Sequence, residues 1–238
     1  MKRTLLFVAI VFLLGAPLFA DFSDFYYKLN NALSGFADPN TGLTAFPTLL
    51  IPMGGKYEGM GTAYTAVAMD SGYIEANPSA SSSLQDTELA FFHHSWIADS
   101  NLEGLVYTMR FNDLGIGFGG KFLYVPFTEY NEWGDRANRG YISESVATLN
   151  VSYNFFSSFN FYGLGLGANI KTAYRHIPNA FYPDQSALTA MVDIGVLTRF
   201  NLLKFYISRS KNFSLGAAVK NIGFPALGDP LPTVASAS

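Results

Sequence analysis

The sequence predicts an all-β protein, an antiparallel transmembrane β-barrel of which about seven strands are present, preceded by a small-residue hatch. From residue 87 onward, long stretches alternate apolar residues with polar residues or glycine. The chain is 16% aromatic and only 14% charged, with 22 Gly. No apolar run beyond the N-terminus is long enough for a membrane helix. A β-barrel combines these properties, because its strands show lipid only one of their two faces. A soluble, exported β-sandwich or small barrel is the alternative.

Residues 1–20 read as a cleaved export signal. Lys2 and Arg3 form a basic start, residues 5–14 are apolar, and Ala20 is a small residue suited to cleavage. A membrane anchor is less consistent, because the apolar run is shorter than the ~20 residues that cross a bilayer. The signal predicts export to the outer membrane. The chain has no cysteine, which excludes lipoprotein processing, disulfides and thiolate metal sites.

Residues 21–86 are predicted to form an N-terminal helix and a hatch rich in Gly and Ala. Apolar residues at near-helical spacing indicate a short amphipathic helix over residues 21–37, ended by Gly35 and Pro39. Residues 54–80 follow neither the helical nor the strand period. We therefore expect this stretch to be a plug held inside the barrel rather than part of its wall.

Residues 87–223 are predicted to form the barrel strands. In the clearest of them, Leu114, Ile116 and Phe118 oppose Gly115 and Gly117. The connections alternate between a short turn, as at residues 112–113, and a long loop, as at residues 126–140, which is typical of outer-membrane barrels. The predicted strands are residues 87–98, 102–111, 114–125, 141–155, 161–175, 186–200 and 213–221.

Residues 224–238 are predicted to be a truncated tail. They contain Pro225, Pro230 and Pro232 and end without the terminal aromatic residue usual in outer-membrane barrels. Seven strands is also an odd number, whereas bacterial single-chain barrels have an even number. We therefore expect an incomplete barrel, either a fragment of a longer one or half of a homo-oligomer.

The motifs of the hatch resemble a known family. Gly59, Met60 and Gly61 are followed by Asn77 and Pro78, and the later stretches 91–96 and 212–223 fit the same pattern. In this order the motifs resemble the FadL-type outer-membrane transporters of long-chain fatty acids, and more closely an uncharacterised FadL-like and PorV-like family. The resemblance implies uptake of long-chain fatty acids or other hydrophobic small molecules past a hatch that shifts around Asn77 and Pro78.

Four cations are the candidate ligand-binding residues. Lys121, Lys171, Arg175 and Arg199 all fall on the less apolar faces of their predicted strands. One hypothesis is that one or two of them meet the carboxylate of a fatty acid whose tail lies along glycine and aromatic surface. The other is a solvated lumen of balanced charge, which is general in these barrels. The predicted partners are outer-membrane lipid and the hydrophobic ligand.

Enzyme activity, cofactors and metals are not expected. His93 and His94 are adjacent on a strand and point to opposite faces, so they do not share a metal. No spacing of Ser, His and an acid suggests a triad, and no phosphate loop is present. The net charge of −3 argues against a nucleic-acid partner.

The alternative function is interaction rather than transport. A surface antigen, an adhesin or a PorV-like secretion accessory would use the predicted loops 126–140 and 176–185, the first of which carries Trp133, Asp135 and Arg136. A non-functional fragment of a barrel is the remaining alternative.

Overall fold

A computed structural model describes residues 44–61, 63–158, 162–201 and 212–238. Eight antiparallel strands form one sheet in the order β1 to β8, each paired with the next along the chain. The strands are β1 Glu88–Ser95, β2 Asn101–Phe111, β3 Leu114–Tyr130, β4 Arg136–Phe155, β5 Leu164–His176, β6 Ala187–Phe200, β7 Phe213–Gly223 and β8 Val234–Ala237. The predicted antiparallel all-β class is confirmed. No pairing among the described residues joins β8 to β1, so the partial barrel stays a prediction.

The strand count and one loop differ from the sequence prediction. β8 lies in the predicted tail and pairs with β7, so there are eight strands and not seven. Its sequence, Val-Ala-Ser-Ala, is too short and too mixed to show a periodicity. The predicted loop 126–140 is mostly strand, because β3 and β4 pair as far as Tyr130 and Arg136. Their polar ends do not alternate, and residues 136–139 of β4 are exposed to solvent on both faces.

Residues 44–84, apart from residue 62, form what we call the inner segment. It contains the short helices Gly55–Gly59 and Tyr73–Ala76 and the 3-10 helices Pro47–Leu50 and Pro78–Ser83. Within the described ranges, no helix is both long enough and apolar enough to span a membrane. The predicted signal 1–20, the predicted helix 21–37 and most of the connection between β6 and β7 lie outside the described residues.

The sheet has two unlike faces. The inward face contacts the inner segment and carries most of the sheet's buried polar and charged residues, such as Asn150 and Lys171. The outward face is apolar and uncovered: Ile170 is 60% exposed and Ile194 is 57% exposed. The predicted apolar faces of the strands are the outward ones. The sequence left the outward face of β1 undecided. The exposed side chains of Leu89 and Phe91 show that this face carries the odd-numbered residues of β1.

Glycines on the inward face allow the backbone of the inner segment to approach the sheet. A Cβ at Gly115 would lie 2.5 Å from the carbonyl carbon of Ser81, and a Cβ at Gly167 would lie 2.5 Å from the carbonyl carbon of Pro78. Neither position therefore has room for a side chain. Between these contacts, Tyr64, Tyr73 and Ile74 of the inner segment belong to the main buried apolar cluster of the described chain.

Candidate functional site

Asn77 attaches the inner segment to the sheet. Its fully buried side-chain amide donates to the Thr65 carbonyl at 2.9 Å and to the Val196 carbonyl at 3.0 Å. Its Oδ1 accepts from the Ser79 amide at 3.1 Å and from the Ser79 hydroxyl at 2.6 Å. The second pair caps the 3-10 helix Pro78–Ser83, so one side chain both starts that helix and holds it against β6.

A buried row of polar side chains continues this attachment across the three strands β4, β5 and β6. Asn150 donates to the Pro78 carbonyl at 2.9 Å and to the Asn169 Oδ1 at 2.7 Å. Asn169 donates in turn to the Ile74 carbonyl at 2.9 Å and to Asp193 at 2.7 Å. These buried amides satisfy backbone carbonyls of the inner segment, and they therefore fix its position on the sheet.

Asp193 lies where the pairing of β6 with β7 shifts by a residue. Such a bulge redirects a side chain. The fully buried Asp193 carboxylate lies 2.6 Å from Lys171 Nζ and accepts from the Asn221 amide at 2.7 Å. One acid thus balances the charge of Lys171 and satisfies a donor that the bulge leaves without a strand partner.

A cavity of about 220 Å³ lies between the inner segment and the sheet. Its lining includes one carboxylate, Glu75 of the inner segment, and three lysines of the sheet, Lys121, Lys171 and Lys220. Leu49 and Leu50 line it as well, and Leu50 is 52% exposed, which places part of the lining at the protein surface. We take this lysine cavity as the candidate functional site.

The three lysines of the cavity have different partners. Lys121 Nζ lies 2.5 Å from Glu75 and also donates to the Ile51 carbonyl. Lys171 is paired with Asp193. Lys220 donates to the Tyr57 hydroxyl at 3.0 Å and makes no ion pair with any residue that the structure describes. Since burial raises the pKa of Tyr57 to about 12, its phenol is neutral at pH 7 and does not balance the Lys220 charge.

This arrangement leaves Lys220 without an acidic partner among the described residues that line the cavity. An anionic group such as a carboxylate or phosphate would complement the charge of Lys220, because little water screens their interaction in a buried site. The volume is below the ~300 Å³ at which pockets for drug-sized ligands begin. The cavity therefore suits the head group of an amphiphile, with the hydrocarbon directed past Leu49 and Leu50.

The structure brings together two of the four predicted ligand-binding cations. Lys121 and Lys171 line the cavity, whereas Arg175 and Arg199 do not. Arg175 Nε donates to Glu144 at 2.6 Å. The Arg199 guanidinium lies 5.0 Å from the ring centroid of Tyr162 and 3.4 Å from the Ser83 hydroxyl. Three of the four cations thus already have a carboxylate partner within the chain.

The predicted hatch residues also separate into two groups. Asn77 and Pro78 are buried against the sheet, whereas Met60 is 42% exposed and Gly59 and Gly61 are exposed beside it. Gly61 has a φ of 59°, a turn conformation that glycine adopts without strain. Of the predicted hatch residues, only Asn77 and Pro78 therefore help to hold the inner segment against the sheet.

Sequence reasoning missed Glu75 and the uncharged partners of the cavity. Glu75 lies in the Gly- and Ala-rich stretch, and its Oε2 accepts from the Met53 amide at 2.6 Å. Tyr57 and Asn221 were not considered as ligands. Asp193, in contrast, belongs to the inward charges of the predicted lumen of balanced charge, because it lies on the same predicted inward faces as Lys171 and Lys220.

The fold and the site define an all-β protein in which one face of an antiparallel eight-stranded sheet holds an internal segment through buried polar contacts. The family model described as "Uncharacterised protein family (UPF0164)" matches residues 29–238. The chain belongs to the UPF0164 family.

The curated relatives that match are UPF0164 proteins of Treponema pallidum (strain Nichols). One is 32% identical over 199 residues, which is 80% of this chain and 45% of that relative. Two others are each 28% identical, over 183 residues (74% of this chain, 36% of the relative) and over 180 residues (73% and 52%). The chain thus spans about half, or less, of the length of these relatives. No solved structure matches it significantly.

These matches correct the family suggested by the hatch motifs. The assignment to a FadL-like and PorV-like family is wrong, because the matching family model and the curated relatives are those of UPF0164. The motifs misled because Gly-rich turns and an Asn-Pro helix start specify local backbone geometry, which unrelated chains also need. In this chain Asn77 has that local role as a helix cap.

Proposed function

We propose that this chain forms wall strands of an outer-membrane channel for hydrophobic or amphipathic small molecules, with the inner segment restricting the passage. The observation that carries the proposal is the contrast between an uncovered apolar outward face and a polar inward face buried on the inner segment. A strand with one lipid-facing and one interior face has this pattern.

Two groups of aromatic residues on the outward face support an orientation in a membrane. At the end with the β3–β4 hairpin, Tyr124 stacks on Tyr141 at 5.3 Å, and we call this group the upper belt. At the other end, the lower belt includes Tyr153 and Phe155, 4.7 Å apart, and the Phe200–Phe213 pair, 5.1 Å apart. Barrels in membranes carry such girdles at both interfaces.

The spacing of the belts fits a bilayer. Tyr141 and Tyr153 are 12 residues apart on β4. At ~3.3 Å per residue this is about 40 Å along the strand, which a tilt of ~45° reduces to about 28 Å, close to the ~25 Å apolar band of outer-membrane barrels. Between the belts, the outward positions of β3 to β7 carry no charged side chain, and on β2 the outward Glu103 is paired with His93 of β1.

The lysine cavity supports an acidic head group as the feature that the channel recognises. We expect a fluorescent long-chain carboxylate to bind the full chain in detergent, and Lys220→Met to weaken binding about tenfold or more by removing a charge-assisted contact. Lys56→Met is the matched control, because Lys56 is an exposed lysine paired with Asp70. Equal binding by wild type and Lys220→Met would overturn this part of the proposal.

Membrane insertion is tested separately. The chain, expressed with its own N-terminus, is expected in the outer-membrane fraction, where a closed barrel migrates differently before and after heating on a denaturing gel. Recovery in the soluble periplasmic fraction would contradict the proposal.

A second candidate function is protein interaction through the β3–β4 hairpin. Trp133 at its tip is 85% exposed, and Phe127 of the hairpin contacts Phe181 at 4.8 Å, so the hairpin and the β5–β6 connection form one surface. An exposed tryptophan is a common anchor of interfaces. Loss of partner binding on Trp133→Ser with unchanged carboxylate binding would favour this function.

A further inference from the structure

Three polar side chains meet on the outward face at the β1–β2 end of the sheet. His93 Nδ1 lies 2.7 Å from Glu103 Oε1, and the Ser95 hydroxyl lies 3.5 Å from His93 Nε2. The register pairs His93 with Glu103, and Ser95 follows His93 by two residues on the same face of β1. We call Ser95, His93 and Glu103 the outward triad.

The order of contacts is that of a nucleophile, a general base and an orienting acid. A carboxylate can only accept, so Glu103 requires the proton of His93 on Nδ1. Nε2 then presents its lone pair to the Ser95 hydroxyl, as in serine hydrolases. The 3.5 Å contact is long, as catalytic hydrogen bonds commonly are without substrate.

The edge of the sheet supplies backbone donors beside the serine. Trp96 donates its amide to the Ser100 carbonyl at 2.8 Å, which directs this amide toward β2. Amides alternate in direction along an antiparallel strand, so those of His93 and Ser95 point to the free edge of β1. No described strand pairs with that edge, and Ser95 is the last residue of β1, so a strand that closes the barrel along residues 88–94 leaves the Ser95 amide free. The Ser95 amide can therefore donate to an oxyanion formed at a carbonyl that Ser95 attacks.

An apolar groove adjoins the triad. The histidine and glutamate of the triad line a cavity of about 720 Å³ together with Phe91, Leu105 and Phe122. Its floor includes Gly120 and Ala147, which are paired across β3 and β4 and leave space between larger neighbours. This volume lies within the ~300–1,000 Å³ range of ligand pockets, and the lining suits a hydrocarbon chain.

The triad lies at the level of the upper belt. Ser95 pairs with Asn101, and Asn101 pairs with Tyr124, a residue of that belt. Aromatic belts mark the membrane interface, between hydrocarbon and head groups, where the ester bonds of bilayer lipids lie. This step rests on the proposed function, in which the outward face meets lipid.

We propose that the outward triad hydrolyses long-chain acyl esters of lipids at the bilayer interface. As the Ser95 oxygen bonds to the ester carbonyl carbon, His93 takes the hydroxyl proton. The ester C–O bond then breaks, and His93 returns this proton to the leaving alcohol. Water, deprotonated by His93, attacks the acyl-serine, the C–O bond to Ser95 breaks, and His93 returns the proton to the Ser95 oxygen as the carboxylic acid leaves. Glu103 positions His93 throughout.

The first test is labelling with a fluorophosphonate, which reacts with activated serines. The full chain in detergent is expected to be labelled at Ser95, located by mass spectrometry. Because general-base catalysis contributes about 10²–10⁴-fold, His93→Ala should slow labelling at least 100-fold, and His94→Ala should not. Glu103→Gln should slow labelling, and Glu103→Asp should restore part of the rate, which a merely structural role would not do.

The second test measures fatty acid released from vesicles of phosphatidylethanolamine and phosphatidylglycerol. Wild type should release it, and Ser95→Ala should not. Labelling in detergent needs no bilayer, so it tests the triad alone. The triad is overturned if the folded wild type carries no label on Ser95. It is also overturned if His93→Ala and the milder His93→Gln are labelled as fast as wild type. Labelling without vesicle hydrolysis instead overturns the lipid-facing orientation.

Discussion

The two faces of the sheet differ in where their polar and apolar side chains lie. On the inward face, polar and charged groups are buried and are bonded within the chain, as Lys171 is to Asp193 and Asn150 is to the Pro78 carbonyl. On the outward face, large apolar side chains such as Ile170 and Ile194 have no partner among the described residues that covers them. The inward face is thus completed by the chain itself, whereas the outward face requires an apolar environment.

This contrast separates two kinds of stability. Replacements on the inward face should act in any solvent, because they break contacts inside the protein. Replacements on the outward face should act only where lipid surrounds the sheet. The stability of variants on each face, measured in detergent and in a bilayer, therefore tests whether the two faces differ in this way.

The largest effect is expected from removing Asp193. Asp193→Ala leaves the buried Lys171 ammonium unpaired and should lower the free energy of unfolding by about 3–5 kcal/mol. Denaturant titration in detergent measures the change. The double variant Lys171→Met with Asp193→Leu should recover only part of the loss, because it removes both charges but leaves the Asn169 and Asn221 donors without their acceptor. A wild-type midpoint for Asp193→Ala would contradict the buried ion pair.

The next effect tests the outward face. Ile194→Lys places a charge midway between the belts and should lower the free energy of unfolding in a bilayer by about 2–4 kcal/mol, as for lipid-facing positions near the midplane. The control is Asn138→Lys on the exposed hairpin, which should change it by less than about 0.5 kcal/mol. If the two variants are equally stable in vesicles, the outward face does not meet lipid.

A neighbouring pair of residues on β5 compares the faces directly. Gly167→Leu forces a side chain into the backbone of Pro78 and should lower the free energy of unfolding by about 1–3 kcal/mol. Ala168→Leu adds the same side chain to the outward face, where there is space, and should have little effect. Proteolysis rates of the inner segment, compared with those of wild type, provide a second readout. Similar losses for both variants would refute the close approach at Gly167.

The smallest effect is a pH dependence of the inner segment. Burial raises the pKa of Tyr73 to about 12, above its ordinary value of 10.0. The unfolded chain therefore loses this proton first, so the free energy of unfolding should fall as pH rises from about 10 to about 12. Tyr73→Phe should reduce that fall, and Tyr153→Phe on the outward face is the control. Identical alkaline titrations of stability would contradict a buried phenol.

The outward face could be predicted from the sequence because its signal is local. Phe118, Ile170 and Ile194 each lie in a run that alternates with period two, which fixes both the strand and its apolar face. The β3–β4 hairpin beyond Tyr124 was missed for the same reason. Where both faces meet water, alternation has no physical cause, and pairing alone defines the strand.

The candidate sites depended on contacts that no local pattern contains. Glu75 pairs with Lys121 across 46 positions, and Asn77 bonds to Val196 across 119. For the outward triad, Ser95 and His93 share a face by simple alternation, but the third member follows only from the register of β1 on β2. Sequence analysis compared His93 with its neighbour His94, and therefore saw two faces instead of one group.

The polar attachments of the inner segment follow one another along the chain. Asn77 bonds to β6, and the Pro78 carbonyl, the Ser81 hydroxyl and the Ser82 amide that follow it all bond to β4. Such an arrangement can open one contact at a time along the chain, and it need not move as a rigid body. Each of these hydrogen bonds has a net contribution of about 1 kcal/mol, because water replaces it when it breaks. The inner segment can therefore detach from one end in small steps. Removing it as a rigid body would break every bond at once.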